Sequence, residues 1–336
     1  MSAVSGILVV DKPGGVTSHD VVVRVRRRVR GIRVGHAGTL DPAATGVLLV
    51  LLGKATKLAE TLMDERKEYE ATIRLGRETD TGDATGRVVR ESSEANPEPA
   101  AVRRALEAFH GEIDQIPPMV SALKIGGKRL YALAREGAIV PRTARRVRID
   151  ELELRGYAPP FVTIRVVCGR GTYLRAIATD LGDALGVGGM LEELRRTAVG
   201  PFRLERATPL GELEDALRSG SWRERLIAPG QALAHLPGVV VSERHVSRLL
   251  HGQPTPWGEV VSFPGGLRGG AALRILDPAG RLLATARAEA ASAHPLGLAA
   301  ATELAEAPAG LDAPPSCAPS APPFRVERVL IEPRDA

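Results

Sequence analysis

The sequence predicts a chain in two parts: a larger domain of mixed helices and strands over residues 1–229, then a small β domain over residues 230–336. Three observations carry that expectation. Apolar runs too short for helices, Gly6 to Val10 and Val47 to Leu52, read as buried strands. Between them Val21, Val25 and Val29 recur at helical spacing. After about Pro229 the texture changes to short strand-like pieces separated by proline and glycine. A chain of 336 residues has room for such a division. With aromatics at only 3%, its core must be built from Val, Leu, Ile and Ala.

The first strand ends at the turn signal Asp11-Lys12-Pro13-Gly14-Gly15. A helix follows, capped by Thr17 or Ser18 with Asp20 in its first turn, and its valine stripe leaves the arginines on the other face. Gly35 to Gly46 (GHAGTLDPAATG) reads as a tight polar loop directly before the Val47 to Leu52 strand. Such a loop can hold Asp41 rigidly in a cleft; the same residues also describe a plain turn, with Asp41 capping a helix that starts at Pro42.

Tyr69 to Leu75 alternates as a strand, and Thr79 to Gly86 reads as a turn, since its aspartates lack the closing Glu of a calcium loop. A helix is expected near Pro99 to His110, then Pro117-Pro118 and the segment SALKIGGKRLYALAREG. In the strand Val162 to Cys168, Val162, Ile164, Val166 and Cys168 share one face. Gly169-Arg170-Gly171-Thr172-Tyr173-Leu174-Arg175 then turns into a helix reaching about Leu185; its single GxG is too little for a nucleotide site.

Further on, strands are expected at Gly238 to Val241, Glu259 to Phe263 and Leu273 to Leu276. The Ala/Pro-rich stretch from about 288 to 323 has the composition of a disordered insert. Phe324 to Glu332 is strand-like again and can return to pair with the small β domain.

Net charge is +5, a mild excess that alone says little about nucleic acid. Its distribution says more. Arg24, Arg26, Arg27, Arg28, Arg30 and Arg33 crowd one stretch, and Arg142, Arg145, Arg146 and Arg148 a second, as in patches that meet phosphates. The alternative is a solvated face. Cys168 and Cys317 match no metal-ligand spacing, so neither a disulfide framework nor a metal site is expected and a reducing cytoplasm fits. The opening MSAVSGILVVDKPGG has no basic n-region and its apolar run stops after four residues, so no signal peptide or membrane span is expected.

Six blocks, in order, carry a family resemblance: GILVVDKPGGVTSHD, GHAGTLDPAATGVL, YEATIRLGRETDTGDATG, IPPMVSALKIGGKRLYALAREG, CGRGTYLRAIATDLG and LRRTAVGPF. Together they resemble the bacterial tRNA pseudouridine(55) synthases of TruB type over nearly the whole chain, weakening after about Thr208. The resemblance implies an α+β pseudouridine synthase fold, with a mostly antiparallel mixed sheet flanked by helices, an RNA-contacting thumb at about 117–148, and a small C-terminal PUA-like β domain. The Ala/Pro insert is not part of the family pattern.

The implied reaction breaks the bond between uracil N1 and ribose C1′, turns the base, and rejoins it through C5 at position 55 of the tRNA T-loop. No redox step occurs and nothing leaves the RNA, so no cofactor is expected. The chemistry needs a carboxylate at the glycosidic bond, and the Asp at the matching place of the loop is Asp41. Burial beside a base raises a carboxylate's pKa, whereas a nearby guanidinium lowers it by about 1–3.

By resemblance that guanidinium is Arg175, whose planar fork suits a carboxylate better than Lys does. Tyr69 resembles the residue that stacks on the target uracil and helps remove the C5 proton; Tyr173 resembles a pocket residue near the catalytic Asp; Leu194 resembles an apolar wall against the base. His36 resembles the residue that enters the T-loop where the flipped base had been, and Lys12 one that stabilises the active-site loop.

The expected partner is tRNA through its T-loop and stem, with no membrane and no obligate protein partner, the chain acting as a monomer. Two rival readings are a non-catalytic RNA-binding protein or tRNA-folding chaperone, and a synthase guided by a separate RNA. The first has no need of Asp41, Arg175 and Tyr69 together; the second usually carries additional terminal segments and a larger C-terminal domain.

Overall fold

A computed structural model describes residues 4–92, 95–121, 123–125, 128–130, 140–289 and 324–330. Most of the Ala/Pro insert, Cys317, and much of the expected thumb (residues 122, 126–127 and 131–139) lie outside them.

A ten-stranded mixed sheet organises the larger part of the chain. Its main path runs Thr208–Pro209, Gly6–Lys12, Thr45–Leu52, Gly189–Val199, Lys67–Leu75, Phe161–Cys168, Arg145–Ala158 and Gly111–Gln115. Two pairings on this path are parallel, Gly6–Lys12 with Thr208–Pro209 and Thr45–Leu52 with Gly189–Val199; the others are antiparallel. The Gly6–Lys12 and Thr45–Leu52 strands are nearly unbroken apolar runs because both of their faces are covered. Leu8, Val10, Leu48 and Val50 pack under the helices Ser18–Arg28 and Leu210–Ser219. Ile7, Val9, Val47 and Leu49 face the other way, onto Leu58, Leu62, Leu282 and Leu330. Farther along, Tyr69, Ala71, Ile73, Ile164 and Val166 meet the helices Pro99–Glu107 and Leu174–Ala184.

The Ser18–Arg28 helix begins where its sequence demands. Thr17 and Asp20 form a reciprocal capping box: Asp20 N–H donates to Thr17 Oγ1 at 3.0 Å, and Thr17 N–H donates to Asp20 Oδ2 at 2.9 Å. Val21, Val25 and Val29 are buried, and Arg24, Arg26, Arg27, Arg28 and Arg30 are exposed.

One expectation needs correction, and one segment proves more regular than its sequence showed. Gly35 to Ala37 is strand, not loop: Val34–Ala37 pairs antiparallel with Thr45–Leu52, His36 opposite Val50, because that neighbour overrides the weak strand preference of Gly and His. Residues 145–148, assigned to the thumb, open the 14-residue strand Arg145–Ala158, held on one edge by Gly111–Gln115. There Arg146 faces Glu112 and Asp114 at 3.8 Å each, and Arg148 pairs with Asp150 at 2.7 Å. This part of the second arginine cluster thus faces carboxylates of its own sheet, with Asp150 shared between Arg148 and Arg66.

A separate five-stranded sheet follows the order Val260–Ser262, Gly238–Val241, Ala272–Leu276, Leu282–Ala288, Phe324–Val329. Its Leu282–Ala288 strand is not among the elements expected from the sequence. As the sequence suggested, Phe324–Val329 returns to pair antiparallel with this group. Leu282 and Leu330 dock on Leu58 and Leu62 of the larger part, and Lys57 Nζ donates to Val329 O at 2.9 Å.

Candidate active site

The loop from Gly38 to Ala44 carries Asp41 and is fixed from three sides. From below, the fully buried Lys12 Nζ donates to the carbonyls of Pro13, Val16 and Pro42 at 2.9, 2.9 and 3.2 Å. From the helix N-terminus, Ser18 Oγ accepts from Leu40 N–H at 2.9 Å and donates to Leu40 O at 3.1 Å. From the sheet, Arg196 Nε donates to Val47 O at 2.7 Å and Nη2 to Gly38 O at 3.2 Å. Gly38 and Gly46 both have positive φ, +85° and +102°. A Cβ at Gly46 would lie 2.2 Å from Arg196 O, so the strand approaches the loop too closely for any other residue.

Asp41 faces a cleft of about 410 Å³ whose walls include Tyr69, Tyr173, Arg175, Leu194 and Arg196. Arg175, 4% exposed, brings Nε to 3.1 Å from Asp41 Oδ2. Its other nitrogens donate to Thr81 O at 3.0 Å and Val120 O at 2.7 Å, and Nη1 lies 3.7 Å from Asp83 Oδ2. Desolvation in the cleft nevertheless outweighs Arg175, with Asp83 adding to it, and holds the Asp41 carboxyl above its ordinary pKa. Burial pushes Lys12 the other way, down to about 8, against the attraction of Asp41.

Tyr69 stands in the middle of the sheet, directly opposite Arg196 on one side and Val166 on the other. Burial raises its phenol pKa, and Arg196 opposes this. Leu194, two residues from Arg196, lies on the same strand opposite Ala71. Tyr173 precedes the Leu174–Ala184 helix, and the buried Gln115 clamps its backbone, accepting from Tyr173 N–H at 3.0 Å and donating to Tyr173 O at 3.2 Å. Burial raises the Tyr173 phenol as well.

Of the seven residues singled out in the sequence, Asp41, Tyr69, Tyr173, Arg175 and Leu194 line this one cleft. Lys12 lies beneath it, holding the loop. His36 stands apart, half-buried on the strand that leads into the loop and absent from the cleft wall.

Three residues that sequence reasoning passed over belong to the site. Asp83 turns the Thr79 to Gly86 segment into more than a turn, because its Oδ1 accepts from Thr85 N–H at 3.0 Å while Oδ2 faces Arg175. Arg196 is 1% exposed, and Lys67, on the cleft wall, is 6% exposed with its pKa lowered to about 8 by burial. Both lie inside strands, where the sequence offers no more than a charged residue among alternating ones. Chemically, the cleft offers a raised carboxylate, a cation to keep it ionisable, a phenol and an apolar wall. That set suits nucleophilic attack beside a planar, uncharged ring.

Known proteins resemble this chain over most of its length. A model of the TruB family pseudouridylate synthase N-terminal domain matches residues 26–174, and one of the tRNA pseudouridylate synthase B C-terminal domain matches residues 175–234. The chain is 45% identical over 287 residues to a tRNA pseudouridine synthase B of Burkholderia mallei, covering 85% of this chain and 94% of that one. It is 43% identical over 272 residues to the corresponding protein of Geobacter sulfurreducens, covering 81% and 90%. Among solved structures, a chain in the crystal structure of a Cbf5-Nop10-Gar1 complex superposes with a TM-score of 0.73 at 26% identity, covering 98% of this chain and 86% of that one.

Proposed function

The chain belongs to the TruB family of pseudouridylate synthases, and from that premise we propose that it isomerises the uridine at position 55 in the T-loop of tRNA. The observation that carries the reading is the Arg175–Asp41 pair at 3.1 Å in a cleft shared with Tyr69. Asp41 is the nucleophile: its ionised carboxylate bonds to C1′ as the N1–C1′ bond breaks and uracil leaves as an anion; the uracil turns, C5 bonds to C1′ as the carboxylate leaves, and N1 takes a proton from solvent. Arg175 holds that carboxylate and favours its ionised form. Tyr69 stacks on the base and takes part in removing the C5 proton, which goes to solvent. Tyr173 and Leu194 line the pocket, Lys12 holds the loop, and His36 enters the T-loop in place of the extruded base. Extrusion costs a few kcal/mol, which contacts to tRNA phosphates offset. Support comes from the tRNA-modifying relatives at 43–45% identity, and from five of these side chains facing one cleft. The five-stranded sheet is assigned as a PUA-like module that adds RNA contacts.

The experiment is tritium release from tRNA transcripts carrying C5-labelled uridine, wild type against Asp41→Asn. Release by wild type alone, lost when the T-loop target uridine is replaced, is expected. Tight tRNA binding by wild type with no release would hand the assignment to the RNA-binding or chaperone reading.

A further inference from the structure

Arg196 is an unusual charge for the inside of a sheet. It is 1% exposed, and among the described residues no carboxylate pairs with it. A buried cation without a counter-charge is costly unless every donor is used. Here the donors go to backbone carbonyls at both ends of the Asp41 loop: Gly38 O at 3.2 Å and Thr39 O at 3.5 Å before it, Val47 O at 2.7 Å after it.

The register explains how one side chain reaches so far. The Gly189–Val199 strand lies between Thr45–Leu52, which leaves the loop, and Lys67–Leu75, which carries Tyr69. Arg196 is the residue opposite Gly46 on one side and Tyr69 on the other. Opposed residues on neighbouring strands project to the same face, so the guanidinium lies between nucleophile loop and phenol.

We propose, building on the function given above, that Arg196 is a positioning residue of the isomerisation, setting the separation between the Asp41 loop and the Tyr69 hydroxyl. A guanidinium can only donate, so a phenol facing it must offer its oxygen lone pair, leaving its own proton to point elsewhere. Its charge also acts on the cleft. Lys67, Arg170, Arg175 and Arg196 line the cleft, where Asp41 is the one carboxylate among the lining residues and Asp83 reaches Arg175 from outside it at 3.7 Å. That excess of positive charge favours a departing uracil anion.

The test compares Arg196→Met and Arg196→Lys with wild type in three measurements. These are single-turnover tritium release from C5-labelled tRNA, tRNA binding at fixed salt, and hydrogen exchange across residues 38–46. Wild-type turnover and Asp41→Asn inactivity are established first, so that failure of the functional assignment shows itself before any Arg196 variant is read.

Arg196→Met is expected to bind tRNA within about threefold of wild type and to release tritium about a hundredfold more slowly. Its Leu40 and Ala44 amides, bonded to Ser18 Oγ and Asp41 O, should exchange faster. Arg196→Lys keeps the charge but lacks the fork that spans from Gly38 to Val47, so its rate should fall between the two. If the Met variant does not fold, the rate and exchange of the Lys variant decide by the same criteria. A folded variant with the wild-type rate and unchanged loop exchange overturns the proposal, and so does a loss confined to tRNA affinity.

Discussion

Arg175 meets Asp41 at 3.1 Å with its guanidinium 4% exposed, while the aspartate side chain keeps 42% of its exposure. The two therefore play unequal parts. The arginine is anchored to Thr81 O and Val120 O, and the aspartate is left facing the cleft. Preorganisation of this kind holds the carboxylate at one place without covering it.

Asp41→Asn should abolish isomerisation, retain tRNA binding, and be no less stable than wild type at pH 7. The Asp41 carboxyl sits above its ordinary pKa in the folded chain. Between the unfolded and folded values the folded state thus holds more protons, and stability falls as pH rises through that window. Above it the ionised carboxylate carries the full cost, which Asn removes; the exposure of Asp41 keeps the gain small. Thermal unfolding checks this, since any Tm advantage of the variant should vanish in acid below the ordinary carboxylate range. A clearly less stable variant at pH 7 would contradict the argument.

Arg175→Met leaves Asp41 facing Asp83 with no cation between them. The Asp41 pKa should climb further, so the acid limb of the pH–rate profile moves to higher pH and the rate at pH 7 falls by about two orders of magnitude. Arg175→Lys should recover little, because an ammonium cannot reach Asp41, Thr81 O and Val120 O together. An unmoved acid limb in the Met variant would remove Arg175 from this role.

Tyr69→Phe keeps the core packing and the stacking face but deletes the hydroxyl. Tritium release should drop by about 10²–10⁴-fold, with tRNA affinity nearly unchanged. Binding and single-turnover assays on the same preparation separate the two effects, and a variant with normal release would show that the phenol oxygen takes no part.

Salt dependence distinguishes the two arginine clusters. Arg27, Arg28, Arg30 and Arg33 make no ion pair among the described residues, whereas Arg146 and Arg148 face carboxylates of their own sheet. Replacing Arg27 and Arg30 by Ala should flatten the plot of log affinity against log salt by roughly 0.7–0.9 for each phosphate left without its arginine. Arg146→Ala and Arg148→Ala should leave the slope nearly unchanged. Equal effects from both pairs would refute the distinction.

Phe324 is 2% exposed in the core of the five-stranded sheet. Phe324→Ala should cost about 3–5 kcal/mol of that sheet's stability, read as an earlier unfolding transition in urea. No change would mean that the Phe324–Val329 strand contributes little to holding this sheet.

Local physics was legible along much of the chain. The valine stripe and capping box set the Ser18–Arg28 helix within a residue of its expected start, since both depend on neighbours at most four positions apart. The apolar runs at 6–10 and 47–52 declared strands buried on both faces. The family blocks pointed to Asp41, Arg175, Tyr69, Tyr173 and Leu194, which all line the one cleft.

What the order of residues left open was decided by pairing across long separations. The extended stretch Gly35 to Ala37 exists because Thr45–Leu52 lies beside it, and residues 145–148 are strand because Gly111–Gln115 offers them an edge. Asp83 and Arg196 look like an ordinary turn acid and an ordinary strand charge until Arg175 and Tyr69 stand next to them. The sequence by itself determined the elements and the chemistry carried on them. Only the tertiary structure decided which charges are buried, which carboxylates neutralise which arginines, and which strand bridges nucleophile and phenol. Those outcomes depend on desolvation and cross-strand register, which are properties of the assembled sheet rather than of any one segment.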